Sequence, residues 1–327
     1  MASYLNNRHQ FTEVNSFRSN PESITCGLPQ GSILGPLLFI IYVNDLVNTS
    51  DIMKFVLFAD DTTIFHSGSD LLEMNNIINC ELVKISKWMI TNKLSLNISK
   101  THFIIFKGKR HIPVNIDIKI GNTSLEQHYC TKFLGVMLDS ELTWKFHIKY
   151  VHSKVAKALG IIYKVRDCLT KTALTTLYYS LIYPYFQYCN VAWGNANKTL
   201  LHPIIIQQKR AVRLISHAAF LEHTHPLFKR LSLLKFNDIN QLELLKFVYN
   251  QLNHTNILQF VPVSNIHEVN LRGRFNLRPP QRKLELSRRF VTYRGCVEWN
   301  SLPEEIKMST NTSMFKCRVK KLLLSSY

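Results

Sequence analysis

Apolar and polar positions change rhythm twice along the chain. Residues 4–26 are polar and mixed, with short β-like pieces around 11–14. The loop Gly27-Leu28-Pro29-Gln30-Gly31-Ser32 follows. It precedes an apolar stretch over 34–46, long enough for a helix, with Pro36 in the first turn, where a missing N–H costs little. Residues 54–58 and 62–65 alternate in the manner of strands, and Ala59-Asp60-Asp61 between them predicts a tight hairpin. Residues 70–92 have helical spacing, ended by Asn92-Lys93, and short strands are predicted at 102–106, 112–120 and 131–138. After Leu142 the texture becomes helical: 143–168, 171–189, 198–219 and 238–253. A loop-like stretch over 255–283 carries Pro262, Gly273, Pro279 and Pro280, and helices near 285–300 and 312–325 close the chain. Helix, hairpin, helix and small sheet make the first half an α+β layer, with a boundary expected near 140–145.

Composition narrows the class. Of the 327 residues 46% are hydrophobic, which is enough for a real core and too much for a disordered chain. Seven scattered cysteines without a CxxC pair argue against a zinc module and a small disulfide scaffold, and predict mostly buried thiols in a reducing compartment. No apolar run follows the first charges, so no signal peptide is expected. The longest apolar run, 33–43, is about half a membrane span. A soluble, intracellular protein without a membrane partner is expected.

Charge divides the chain more sharply than texture does. The net charge is +18, yet residues 1–150 hold 14 Lys/Arg against 13 Asp/Glu, leaving 26 against 9 for residues 151–327. Such asymmetry is the electrostatic footprint of a polyanion-binding module, although a basic surface kept for solubility has the same composition. In Gln207-Gln208-Lys209-Arg210-Ala211-Val212-Arg213-Leu214-Ile215, helical spacing puts Lys209, Arg210 and Arg213 on one face, with Ala211, Leu214 and Ile215 turned to the core. Residues 272–295 hold eight basic residues, among them Arg282, Lys283, Arg288 and Arg289, against the single acid Glu285. Phe275, Phe290 and Tyr293 are interleaved with them. Basic groups track phosphates and aromatics stack on unpaired bases, while a solvated helix face over core aromatics has the same pattern. Trp144, Trp193 and Trp299 read as core anchors.

The candidate chemistry lies in the neutral half. Asp60 and Asp61 are adjacent carboxylates at a hairpin tip, where like charges repel and Asn-Gly would serve the turn better. A divalent cation removes that repulsion. Mg²⁺ takes one or two carboxylates plus substrate phosphates and water, and a nucleotide-transfer site holds two ions about 4 Å apart. Alone, Ala-Asp-Asp reads as a plain turn. The upstream loop with its two glycines and proline changes that reading, because it suggests a fixed backbone that something approaches closely. A phosphate-binding NTPase is excluded: no GxxxxGK[ST] loop occurs, and strands do not alternate with helices as a parallel sheet requires.

Four blocks, GLPQGSILGPLLFIIYVNDL, FADDTTIF, NKLSLNISKT and FLGVMLD, resemble in order and spacing the reverse transcriptases of non-LTR (LINE-like, jockey-type) retrotransposons. SYLNNRHQ, YPYFQYCNVAWG, QQKRAVRLI and YRGCVEWNSLPEEI extend the resemblance over nearly the whole chain. It implies an α+β incomplete polymerase palm, with a β-hairpin and small antiparallel sheet, over residues 1–142. A mainly α-helical thumb-like region over 143–260 and a basic C-terminal extension over 261–327 would follow. By the same resemblance Asp60 is the metal-binding aspartate and Asp61 its supporting acid. Phe58 takes the aromatic place before them. Pro29, Gln30 and Gly31 lie against the incoming nucleotide and template base. Lys100 faces the triphosphate, or is a solvated loop lysine. Phe133, Leu134 and Gly135 begin the strand that grips the primer end, a pattern that a buried strand with a glycine bulge shares. The cofactor implied is Mg²⁺, and the partners are an RNA template, a DNA primer and deoxynucleoside triphosphates.

The family's further catalytic aspartate, on an earlier strand, has no counterpart here. Only Glu13 and Glu22 precede the Pro-Gln-Gly loop, and neither sits in a matching pattern. Losing one ligand of a two-ion site weakens metal binding and transition-state stabilisation. A chain that binds Mg²⁺ weakly or not at all, does not polymerise DNA alone, and derives from a truncated copy or a late-starting reading frame is therefore expected. The alternative is a non-catalytic nucleic-acid-binding protein derived from the element.

Overall fold

A computed structural model describes residues 6–24, 27, 31–106, 116–255, 257–265, 275–283 and 285–327. They form two compact units, Met1–Ile105 with Lys109–His128, and Phe106–Gly108 with Tyr129–Tyr327.

In the first unit, β1 (His9–Gln10) pairs with β4 (Glu22–Ser23), and β2 (Glu13–Val14) with β3 (Phe17–Arg18), all exposed. Helix α1 (Leu34–Val43) starts where Ser32 Oγ accepts from the Gly35 amide at 3.0 Å. The helix stops short of the expected residue 46 and tightens into a 3₁₀ turn, Asn44–Thr49. Strands β5 (Lys54–Phe58) and β6 (Asp61–Phe65) form the predicted hairpin, and α2 (Leu71–Thr91) follows. Asp70 caps α2 by accepting from the Leu72 amide at 2.9 Å. Lys93, at φ 53°, ends it, with the Leu94 amide donating back to Met89 O. Alternation along the hairpin sends Phe55, Leu57 and Ile64 against Leu46, Ile85 and Met89, and that is the unit's small core. Short pairs complete it: β7 (His102–Phe103) lies parallel to β10 (Glu126–Gln127), and β8 (Lys119–Ile120) antiparallel to β9 (Thr123–Ser124).

The hairpin β11 (Cys130–Phe133) and β12 (Val136–Asp139) belongs to the second, helical unit. Buried Asp139 explains this. Its carboxylate accepts from the amides of Thr143 (2.9 Å) and Trp144 (2.8 Å), stitching β12 to the start of α3 (Lys145–Val165). From α3, buried His147 accepts at Nδ1 from the Met137 amide at 3.3 Å. The division therefore falls between His128 and Tyr129, ahead of the point where texture changes.

The stretch 171–189 is broken rather than one helix: α4 (Lys171–Leu181), α5 (Tyr183–Gln187) and α6 (Asn190–Trp193). Ile182 departs from helical angles (φ −112°), Pro184, which lacks an N–H, sits in the first turn of the next helix, and Cys189 is at φ 49°, so no single helix runs through the stretch. Next come α7 (Lys198–Ile215), the unanticipated α8 (Thr224–Leu231) and α9 (Phe236–Asn250). The loop-like stretch holds a bridge between Pro262 and Leu277. The helix expected near 285–300 is split into α10 (Glu285–Arg288) and α11 (Val291–Asn300). The short α12 (Glu304–Lys307) precedes α13 (Thr312–Ser325), which matches expectation.

Tyr178, Phe186, Trp193, Phe236 and Phe315 lie fully buried in one core, with Trp299 beside them and Trp144 packed against it. Two polar networks cross this core. Gln208 donates to Tyr178 Oη and Leu234 O (both 2.9 Å) and accepts from the Phe236 amide (2.8 Å), locking α7 to α4 and α9. Asn240 donates to Asn190 Oδ1 (2.6 Å) and accepts from Arg294 (3.0 Å), locking α9 to α6 and α11. The expectation of mostly buried cysteines is wrong. Cys80, Cys168, Cys189 and Cys317 are exposed and only Cys296 is buried among the described residues, because most lie on outward helix faces and loop ends. No described helix is long and apolar enough to cross a membrane.

Candidate functional site

The β5–β6 hairpin holds Asp60 and Asp61 by backbone pairing. Phe58 is registered opposite Asp61, so Ala59 and Asp60 are the two residues of the turn. A two-residue turn between right-twisted strands needs a positive φ, and Ala59 supplies it at 51°. An L-alanine pays about 1 kcal/mol or more for this. Both carboxylates are exposed, as is the Phe58 ring beside them. The buried flank, Phe55, Leu57 and Ile64, fixes the other end of the hairpin.

Two neighbouring, solvated carboxylates suit a hard cation such as Mg²⁺, which takes oxygen ligands and keeps several waters. Among the described residues no cluster of three or more His, Cys, Asp or Glu forms a site around them. Asp60 and Asp61 thus fit as part of a ligand set.

The other sequence-derived positions distribute as follows. Gly31 sits at φ 79° with open space where a Cβ would be, so the backbone angle and not packing calls for glycine. Pro29 and Gln30 lie outside the described residues. Lys100 ends a 3₁₀ turn, Ile98–Lys100, in which Asn97 Oδ1 accepts from Ser99 Oγ at 2.7 Å and from the Lys100 amide at 3.3 Å. That turn presents an exposed lysine, and no ion pair joins it to either aspartate among the described residues.

In the second unit, Phe133 ends β11, and Leu134 (φ 43°) and Gly135 (φ 86°) form its turn. Two consecutive left-handed residues make the turn that matches strand twist, but leucine pays for it. Tyr188 holds the turn: its hydroxyl donates to Leu134 O at 2.5 Å, and a Cβ on Gly135 would stand 3.3 Å from its ring. Sequence pattern did not single out this contact of Tyr188 with the turn.

The basic positions divide. Lys209 and Arg210 are exposed, and Ala211 and Ile215 buried, as helical spacing requires. Arg213 is only half exposed and donates to Glu222 O at 2.8 Å. Arg282, Lys283 and Arg288 are exposed and Arg289 is half-buried. Arg294 is committed to Asn240 and Glu298 inside the fold. Arg272 and Arg274 lie outside the described residues.

Residues 2–138 match the family model described as reverse transcriptase (RNA-dependent DNA polymerase). Among curated proteins, the chain is 26% identical over 249 residues to the probable RNA-directed DNA polymerase from transposon X-element of Drosophila melanogaster, covering 74% of this chain and 27% of that protein. It is 28% identical over 243 residues to the probable RNA-directed DNA polymerase from transposon BS of the same organism, covering 71% and 27%. To the RNA-directed DNA polymerase from mobile element jockey it is 25% identical over 268 residues, covering 78% and 29%. The chain therefore spans between a quarter and a third of the length of these relatives. No solved structure matches. Hairpin, blocks and relatives converge: residues 2–138 carry a reverse-transcriptase domain, and the chain is homologous to the RNA-directed DNA polymerases of jockey- and X-element-type non-LTR retrotransposons.

Proposed function

We propose that this chain supplies the metal-binding hairpin and the nucleic-acid-holding helices of an RNA-directed DNA polymerase acting on an RNA template, a DNA primer and deoxynucleoside triphosphates. One observation carries the reading: adjacent exposed carboxylates on a strained two-residue turn whose flanks are anchored in a core. Asp60 is the principal ligand of Mg²⁺ and Asp61 its support. Bound there, the ion would polarise the phosphate oxygens and stabilise the charge that develops on nucleotide transfer. Phe58 packs beside the pair, Gly31 with Pro29 and Gln30 lies against the nucleotide, and Lys100 faces the triphosphate. Phe133, Leu134 and Gly135 hold the primer end. Residues 1–142 act as palm, 143–260 as thumb and 261–327 as a basic extension. Lys209, Arg210, Arg213, Arg282, Lys283, Arg288 and Arg289 contact nucleic-acid phosphates.

Two carboxylates are fewer than a two-ion site uses, so a further ligand has to come from another residue. We infer that these 327 residues, assayed alone, extend a primer no faster than background. Purified chain, Mg²⁺, RNA template, DNA primer and deoxynucleoside triphosphates test this. Product that Asp60→Asn abolishes would overturn the inference of inactivity and support the metal role of Asp60. The charge of the second half favours one alternative, nucleic-acid binding without catalysis. It is separated by RNA affinity that falls steeply with salt while no primer is extended.

A further inference from the structure

A cavity of about 380 Å³ opens in the second unit among α7, α8 and α9. Its floor is rigid. Phe228 and Phe236 are buried there, beside the Gln208 amide held by its three hydrogen bonds. Its wall carries Lys209, Lys235, His223 and His225, and no carboxylate lines it. The Lys209 side chain is exposed, with no hydrogen bond or ion pair among the described residues. Lys235 Nζ stands 3.9 Å from the centroid of the Tyr327 ring. That cation–π contact holds the ammonium in place without using an acceptor, so its N–H groups remain able to donate. His223 and Lys235 stand at the N-caps of α8 and α9, neither of which has a side-chain cap; Asp238 lies in the first turn of α9, and the first turn of α8, which holds no acid, adds to the positive potential.

Like charges gathered around a concave, preformed wall repel one another, and an anion seated there relieves the repulsion. We propose that this cavity is a phosphate subsite for single-stranded nucleic acid, with Lys209 and Lys235 as the phosphate ligands and the histidines as neighbouring donors. Lysine ammoniums act as compact point charges, which suits a tetrahedral phosphate. The volume falls at the small end of ligand pockets, the size of one nucleotide-scale group rather than of a docked helix. The proposal rests on the nucleic-acid reading of the basic half and gives it a defined anchor point.

Anisotropy of a labelled single-stranded RNA with the full chain tests it, comparing Lys209→Glu with Lys321→Glu, an exposed lysine on α13 with the same charge change. Circular dichroism establishes that both variants fold. The expected result is a loss of affinity about tenfold greater for Lys209→Glu, with Lys209→Gln reducing the salt slope by about one. Equal losses in the two charge reversals would overturn the subsite while leaving general nucleic-acid binding intact. No salt-dependent RNA binding by the wild type would overturn both readings. Poly-glutamate binding that exceeds RNA binding and is abolished in Lys209→Glu would mean an acidic protein partner, and would also overturn the proposal.

Discussion

Ala59 and His147 show how single residues carry cost in this fold. Ala59 holds a left-handed angle at the tip of the aspartate hairpin. Ala59→Val, with a branched Cβ at that angle, is expected to destabilise the chain by about 1–2 kcal/mol in urea denaturation. Ala59→Gly should stay within about 0.5 kcal/mol, because relief of strain is offset by greater freedom of the unfolded chain. His147 is buried, accepts from the Met137 amide at Nδ1, and leaves Nε2 without a partner among the described residues. Burial disfavours its imidazolium and lowers its pKa to about 4. The unfolded chain binds this proton below pH ~6.5 and the folded chain does not until about pH 4. Stability from His147 is therefore fully present above pH ~6.5 and is lost as pH falls toward 4, by roughly 2–3 kcal/mol. Thermal melts across that range check it, and the slope should shrink in His147→Phe. The aspartates were readable in sequence because two adjacent acids in a turn are chemically odd. The environment of His147 was not, since its period matches any core residue of α3.

Among elements, the hairpin β5–β6 and helix α2 were legible to within a residue or two: alternation, helical spacing and an Asn-Lys stop are local signals. The run 171–193 was not, because its apolar period survives the breaks at Ile182, just ahead of Pro184, and at Cys189 that divide it. Helix α8 has too few apolar positions to show a period, and its place is set by Leu227 and Phe228 in the common core. Polar side chains join the helices where period alone predicts only contact. Gln208→Leu leaves the Phe236 amide and Leu234 carbonyl buried and unpaired, and should cost about 2–4 kcal/mol by urea denaturation. Gly194→Ala drives a methyl into the Asn190 and Asn240 side chains and to 2.7 Å from Asn190 O, where backbone cannot yield. A loss of similar size is expected, read as a lower denaturation midpoint.

At the scale of the whole molecule, the two units differ in how much they bury. The first rests on Leu46, Ile85 and Met89 with partly covered neighbours, and leaves Leu37, Ile40 and Ile41 of α1 largely exposed. The second holds a continuous core from Ile148 to Leu323. Local opening free energy follows buried apolar contact. Amide hydrogen exchange should therefore be slowest in α7 and α9 and faster by orders of magnitude in β5–β6. Comparable protection in both would contradict this account of the cores.

Local chemistry was enough to place the aspartate turn, the helix after it, the helical second half and the charge asymmetry. Each depends on side-chain type and spacing over a few residues. Tertiary packing settled the rest. It joined the Cys130–Asp139 hairpin to the helices through the buried Asp139 carboxylate. It drew Arg294 inward and left Lys209 outside, though sequence presents both as basic. It also gathered Lys209, His223, His225 and Lys235 around one cavity. No period links those positions, since residues that meet across helices share a wall only once the core beneath them has formed.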